Sequence, residues 1–126
     1  MRRASLAVIA ALFLGASLVA AVPVMAAEFG AIAYDAKTGN AGWSVNQPTP
    51  KRAEEVALSN CGASACKIVL RVKPRMCVAL ARVEGKKQVG AASRPHRDAA
   101  RIAALADCKK NNQKGECLIR ISACNH

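Results

Sequence analysis

Aromatic and acidic side chains are scarce in this chain of 126 residues, which holds 2 Phe, 1 Trp, 1 Tyr and 8 Asp and Glu against 19 Lys and Arg. So few aromatic rings supply a poor platform for stacking the bases of single-stranded nucleic acid. The few carboxylates give little support to the acid pair of a glycosidase, and no serine lies in a hydrolase motif. We therefore predict a protein that is not an enzyme and has no cofactor.

The spacing of metal ligands is also missing. No C-x-x-C segment occurs, and His96 and His126 stand at no ligand-like spacing from any cysteine. Two histidines with nearby lysines can act as acid and base on a phosphodiester, which makes a small secreted nuclease a remote alternative. Against that alternative, His126 is the last residue, and a chain end holds a catalytic group poorly.

The chain begins with the pattern of an export signal. Two arginines precede an apolar run over residues 4–22, and a proline and small residues follow. This order predicts a signal peptide over residues 1–26, cleaved before Ala27. A retained membrane anchor is the alternative, because the run approaches the roughly 20 residues that span a bilayer. We expect a periplasmic or extracellular protein with no transmembrane segment after cleavage.

Six cysteines all lie in the predicted mature region, residues 27–126. An even number in one small exported domain predicts three disulfides, with a reactive thiol or a zinc site as the alternative. Without the two arginines of the signal, 17 basic residues remain against 8 acidic ones, a net charge of about +9. This imbalance favours an anionic ligand or an acidic protein as partner.

The mature region contains two similar halves, residues 29–76 and 77–124. In the first half, strands are predicted over residues 30–35, 41–45 and 66–72, and a helix over residues 50–60, with Thr49 as its cap and Pro50 at its first position. Turns that contain Gly39 and Gly85 are predicted to join the first two strands of each half. The second half repeats the order, with strands over residues 77–83, 88–92 and 118–121 and a helix around residues 100–105. We therefore predict an α+β fold: a duplicated ββαβ unit in an antiparallel sheet, with two helices packed on one face and disulfide staples.

Local pairing within each half is the simplest disulfide arrangement, although six cysteines allow fifteen. The expected pairs are Cys61 with Cys66, Cys108 with Cys117, and Cys77 with Cys124. The first two pairs bracket the connection from each helix to the next strand, and the third is expected to link the halves. Pairing across the halves among the first four cysteines is the alternative.

Several segments of the mature region match the pattern of a known family. They are FGAIAYD from Phe29, GWS from Gly42, AL-x2-C-x4-C ending at Cys66, and CVALA from Cys77. Together they resemble the secreted bacterial family catalogued as domain of unknown function 4189, over nearly all of the mature region. The resemblance implies a small exported domain rich in cysteine, with no agreed activity and no catalytic residues.

The best candidate site is a face of the sheet. Alternation along the third strand places Lys67, Arg71 and Lys73 opposite the apolar residues of that strand, and Arg120 lies in the last strand. If both helices cover the other face, these four cations line the open one and suit phosphate or sulfate groups. Trp43 is expected to pack in the core or the hairpin.

The preferred hypothesis is an exported, non-enzymatic binding protein for an anionic envelope component or an acidic protein. The alternative is a secreted inhibitor or immunity-type protein that blocks an enzyme through its disulfide-held loops. The segments 47–50 and 85–88 suit that role best.

Overall fold

The structure, a computed structural model, describes residues 28–126 together with Gly15 and residues 17–19. The predicted signal peptide and its cleavage before Ala27 therefore lie, apart from four residues, outside the described residues. Among the helices of the described residues, none is long and apolar enough to cross a membrane.

The first half forms a ββαβ unit. Its elements are β1 (Phe29–Tyr34), β2 (Ala41–Gln47), α1 (Pro50–Cys61) and β3 (Lys67–Val72). Helix α1 begins where its capping residues predict, because the Thr49 side chain accepts a hydrogen bond from the Arg52 backbone N–H and Pro50 follows the cap. It ends at Gly62, whose φ of 72° lies in the left-handed region that glycine tolerates.

The second half repeats this unit. Its elements are β4 (Cys77–Arg82), β5 (Val89–Arg94), α2 (Arg97–Asn111) and β6 (Leu118–Cys124). The strand orders are β2-β1-β3 and β5-β4-β6, all antiparallel, so the first strand of each unit is central. The predicted α+β fold with a duplicated ββαβ unit is confirmed.

The strands divide between two three-stranded sheets. Each helix covers one face of its own sheet, and the two remaining faces pack against each other. The apolar cluster between the sheets consists of Ile32, Tyr34, Val72, Val78, Leu80 and Ile121. The predicted placement of both helices on one sheet face is corrected accordingly: the layers run α1, first sheet, second sheet, α2.

Alternation of small and large side chains in the central strands explains these layers. In β1, Ala31 and Ala33 pack beneath α1, whereas Ile32 packs against the second sheet. In β4, Ala79 packs beneath α2 and Leu80 lies between the sheets. Small residues let a helix approach closely, and large ones fill the space of about 10 Å between stacked sheets.

The helices also contact the backbone of the neighbouring strands at two equivalent glycines. A Cβ atom at Gly42 in β2 would overlap the α1 backbone around Cys61, and one at Gly90 in β5 would overlap the α2 backbone around Cys108. Because only hydrogen fits at these positions, glycine sets the separation between each helix and its sheet.

The last strand of each unit contains a β-bulge. Ile32 and Ala33 are adjacent in β1 but pair with Leu70 and Ile68, so Val69 is the extra residue in β3. The register of β6 shifts in the same way, and its extra residue is Arg120. An extra residue reverses the alternation of faces along the rest of a strand.

Three disulfides join Cys61 with Cys66, Cys77 with Cys124, and Cys108 with Cys117. These are the pairs that local pairing predicted, but the expected role of the Cys77 pair is corrected. Cys77 lies directly opposite Cys124 in the ladder between β4 and β6, so this bond lies within the second unit and does not link the halves. The two units are held together by the packing of their sheets and by hydrogen bonds between them.

Candidate anion-binding cleft

The four cations predicted to form one basic face do not lie together. Lys67 pairs with Tyr34, which faces the second sheet, whereas Arg71 pairs with Ala31, which faces α1. The bulge in β3 separates them, because strict alternation would have kept both side chains on one face. Arg120 belongs to the other sheet, so the predicted single row is corrected.

Two of these cations have neighbours that the sequence did not indicate. Arg71 donates to the carboxylate of Glu54 on α1, an exposed ion pair that contributes little stability. Lys73 follows the end of β3, and its backbone carbonyl accepts a hydrogen bond of 2.9 Å from the Asn125 side chain. Neither residue lines the cleft that contains Lys67.

That cleft has a volume of about 630 Å³ and opens between the sheets where β3 lies beside β5. We call it the lysine cleft; it is lined by Lys37, Lys67 and Lys87, with Tyr34, Val69 and Val89 as its apolar floor. Tyr34 and Val89 also belong to the apolar cluster between the sheets. The floor is therefore the open end of the inter-sheet core.

The turn between β1 and β2 positions Lys37. Asp35, which is buried, accepts a hydrogen bond of 2.9 Å from the Lys37 backbone N–H and one of 2.8 Å from the Thr38 hydroxyl. The Lys37 hydrogen bond, followed by that of Thr38, holds the pKa of Asp35 below its ordinary value of 3.8. The carboxylate is thus ionised and oriented towards its own turn.

The turn between β4 and β5, which carries Lys87, is fixed by a reciprocal contact between the units. Tyr34 ends β1 and its hydroxyl donates to the Lys86 carbonyl in this turn at 3.5 Å. Arg82 ends β4 and donates to the Gly39 carbonyl in the other turn at 2.9 Å. Each unit therefore holds the turn of its neighbour, which keeps the two turns side by side at the rim of the cleft.

The cleft is positively charged. Asp35 is its single acidic lining residue, and the hydrogen bonds of the turn already engage both of its oxygens. In the part of the chain that the structure describes, the four ion pairs all use arginine, so Lys37, Lys67 and Lys87 form no ion pair. The charge of Lys37 contributes to the lowered pKa of Asp35, after the hydrogen bonds of the turn. Three ammonium groups against one carboxylate around a concave surface leave a net positive charge that attracts anions.

A second, smaller cleft of about 460 Å³ lies on the opposite edge, between β2 and β6. Arg120 and Trp43 line it together with Asn40 and Asn60. Trp43 is 45% exposed, so it does not lie in the core; the other expected place, the hairpin, agrees with its position in β2. The Asn60 amide donates to the Trp43 carbonyl at 2.9 Å, which ties α1 to β2 beneath this surface.

The two histidines are both exposed. His96 precedes α2 without a side-chain capping bond. The His126 backbone N–H donates to the Asn46 side chain at 2.8 Å, so the chain end is held in place. Within residues 28–126 no three His, Cys, Asp or Glu side chains are grouped closely enough to hold a metal ion.

Sequence reasoning identified Lys67 but missed Lys37 and Lys87. Both missed lysines lie in the turn between the first two strands of a unit, at the same end of the repeat. A duplication that stacks one sheet on the other brings these turns together. The equivalent positions of the two turns in the repeat were therefore the signal that could have identified Lys37 and Lys87. Alternation within one strand carries no information about residues of different turns.

These features define a small α+β domain with two stacked ββαβ units, three disulfides and a cationic cleft between the sheets. The chain belongs to the family described as Domain of unknown function (DUF4189), which matches residues 29–124.

Relatives of the chain occur in mycobacteria. It is similar to uncharacterized protein Rv1813c of Mycobacterium tuberculosis and to uncharacterized protein Mb1843c of Mycobacterium bovis, each 52% identical over 44 residues. That segment covers 35% of this chain and 30% of each relative. The NMR structure of Rv1813c from Mycobacterium tuberculosis is similar with a TM-score of 0.56 and 30% identity, over 99% of both chains.

Proposed function

We propose that this protein is an exported, non-enzymatic binding protein that holds an anionic component of the cell envelope in the lysine cleft. The observation that carries the proposal is the grouping of Lys37, Lys67 and Lys87 around one cleft without ion pairs to the described residues. The cleft volume of about 630 Å³ is within the range of small-ligand sites.

Export is supported by two features. Three disulfides form and persist in oxidising compartments outside the cytoplasm. The sequence of residues 1–26 has the order of charged, apolar and small residues found in signal peptides. We therefore place the proposed binding activity in the periplasm or outside the cell.

The mechanism is electrostatic attraction to a rigid surface. The two turns that carry Lys37 and Lys87 are held by hydrogen bonds, and Lys67 lies on a strand. Little backbone freedom is then lost when an anion binds, which preserves affinity. Because the lysine side chains are exposed, salt weakens the attraction.

The test compares two triple variants of equal charge by calorimetric titration. The panel holds inorganic phosphate, anionic phospholipid, lipopolysaccharide and a sulfated polymer, each at several salt concentrations. The site variant replaces Lys37, Lys67 and Lys87 with Gln, and the control variant replaces three lysines outside the cleft. The control lysines are Lys51, Lys73 and Lys110.

Each lysine within about 4 Å of an anionic group contributes about 1 kcal/mol in water. The site variant should therefore bind about a hundredfold more weakly at low salt, whereas the control variant should bind almost as the natural protein does. Equal losses of affinity in both variants would show that binding depends on net charge alone and would contradict the proposal. Binding that does not change with salt would contradict its electrostatic basis. The inhibitor and nuclease hypotheses stay predictions.

A further inference from the structure

We propose that the ligand of the lysine cleft is a single-chain anionic amphiphile, with its charged head at the lysines and its aliphatic chain on the apolar floor. This inference rests on the proposed function and names the class of ligand for the same site. The ligand binds as a monomer, not as part of a bilayer surface.

The floor of the cleft supports an aliphatic ligand. Val69 is 40% exposed although it is a large apolar residue, because the bulge in β3 places it at the cleft. Tyr34 and Val89 continue inwards from it as part of the core between the sheets. A chain that covers Val69 extends this core and removes its exposed apolar surface from water.

The polar groups of the cleft argue against recognition of sugars or bases. Three polar side chains of the lining are engaged within the protein: Asp35 with its own turn, Asn111 with the Val89 carbonyl at 2.9 Å, and Tyr34 with the Lys86 carbonyl at 3.5 Å. Sugar hydroxyls and base edges need several directional donors and acceptors, and these three groups are already used, which leaves Gln88 as the one further neutral polar side chain of the lining.

Stacking on an aromatic ring is also poorly supplied in this cleft. Tyr34 is its single aromatic lining residue and is only 5% exposed, so no ring face is open to a base or a sugar. The three lysines and the single Gln88 amide remain as the available side-chain donors, and an ammonium group binds a phosphate, sulfate or carboxylate head as a point charge. Their apolar stems add to the surface that a chain can cover.

The size of the cleft favours one small molecule. A volume of about 630 Å³ is in the range of sites that enclose a single ligand. A bilayer surface would instead need a broad convex face, whereas the lysines surround a concave one. The combination of a cationic rim and an apolar floor of limited size matches one head group and one chain.

The test is a calorimetric series with inorganic phosphate and with butyl, hexyl and octyl phosphate, all below their micelle concentrations. Charge is constant along the alkyl series while the chain lengthens. Affinity should rise about fourfold for each methylene that the floor covers, and then reach a plateau. Octanol, which has the chain without the charge, should bind far more weakly than octyl phosphate.

Variants of Val69 and Lys67 separate the contribution of the ligand's aliphatic chain from that of its charged head. Val69→Asn should flatten the dependence of affinity on chain length. Leu118→Asn should not, because Leu118 is an apolar position of 51% exposure, against 40% for Val69, and lies outside the cleft. Lys67→Gln should weaken the binding of every alkyl phosphate by a similar factor and leave the dependence of affinity on chain length unchanged. Circular dichroism before and after heating checks that each variant is folded.

The outcomes distinguish this inference from the function on which it rests. If phosphate or a sulfated polymer binds and needs Lys67, but the affinity of the alkyl phosphates does not depend on their chain length, the amphiphile proposal is overturned and the anion site is retained. An unchanged chain-length dependence in Val69→Asn overturns the assigned floor. No binding of any phosphate, lipid or polymer overturns both proposals.

Discussion

Replacing Gly90 with Ala should force α2 away from its sheet. The added Cβ atom would lie 2.7 Å from the Cys108 Cα atom and closer still to backbone atoms of α2. Backbone atoms cannot rotate away, and the disulfide of Cys108 ties this end of the helix to the strand that follows. Relief therefore requires the helix to shift by about 1 Å against its apolar cluster.

The expected cost follows from two opposing effects. Overpacking of this kind costs about 1–3 kcal/mol, whereas replacing glycine with alanine restricts the unfolded chain and returns about 0.4–1 kcal/mol. The free energy of unfolding of Gly90→Ala should fall by about 1–2 kcal/mol. In a domain of about 100 residues this lowers the Tm by about 5–15 °C.

The assay is thermal and urea unfolding of the oxidised protein, with Ser93→Thr as the control. Ser93 lies in the same strand and is half-buried, and the control also adds one methyl group, so its stability should change by less than about 0.5 kcal/mol. Gly42→Ala should reproduce the loss, because Gly42 has the same place beneath α1. A Gly90→Ala protein as stable as the natural one would refute the close helix contact.

Three further predictions concern stability. Asn125→Ala removes a hydrogen bond to each of two backbone partners, at 2.8 and 2.9 Å, and should lower the free energy of unfolding in urea by about 1–3 kcal/mol; no change would contradict its bridging role. Replacing Cys77 and Cys124 together with Ser removes the disulfide with the longest sequence separation, 47 residues, and should lower the free energy of unfolding by about 4 kcal/mol. Removing either of the other two disulfides should cost less, and an equal loss for all three would refute this order. Since the folded-state pKa of Asp35 is lowered, its carboxylate stabilises the protein above the unfolded value and this contribution is lost as pH falls through the folded pKa. The Asp35→Asn protein should therefore be less stable than the natural one at neutral pH, and it should lose less stability on acidification to pH 3 or below. Parallel profiles of unfolding free energy against pH for the two proteins would contradict that assignment.

Much of the fold could be predicted because each local pattern agreed with the global one. Thr49 and Pro50 marked the start of α1, and the glycine turns marked the hairpins. The division into two sheets was missed, although the sequence contained its signal. In β1 and β4 the residues between the large apolar ones are alanines, not polar residues, which indicates strands covered on both faces.

The candidate site was harder to predict because it depends on residues far apart in the chain. A bulge at Val69 reverses the faces of β3, and no propensity of valine or its neighbours indicates a bulge. Lys37 and Lys87 meet because two turns pack side by side after the sheets stack. Periodicity within one strand predicts which residues share a face, but it does not predict which loops become neighbours.

The central claim is that the lysine cleft, and not net positive charge, is the binding site. Titration of the ¹⁵N-labelled protein with hexyl phosphate, followed by amide chemical shifts, tests this claim most directly. The account predicts that the shifts concentrate in residues 34–38, 65–69 and 86–89, which border the cleft. Shifts spread over the outer faces of the helices, or concentrated around Trp43 and Arg120, would contradict it.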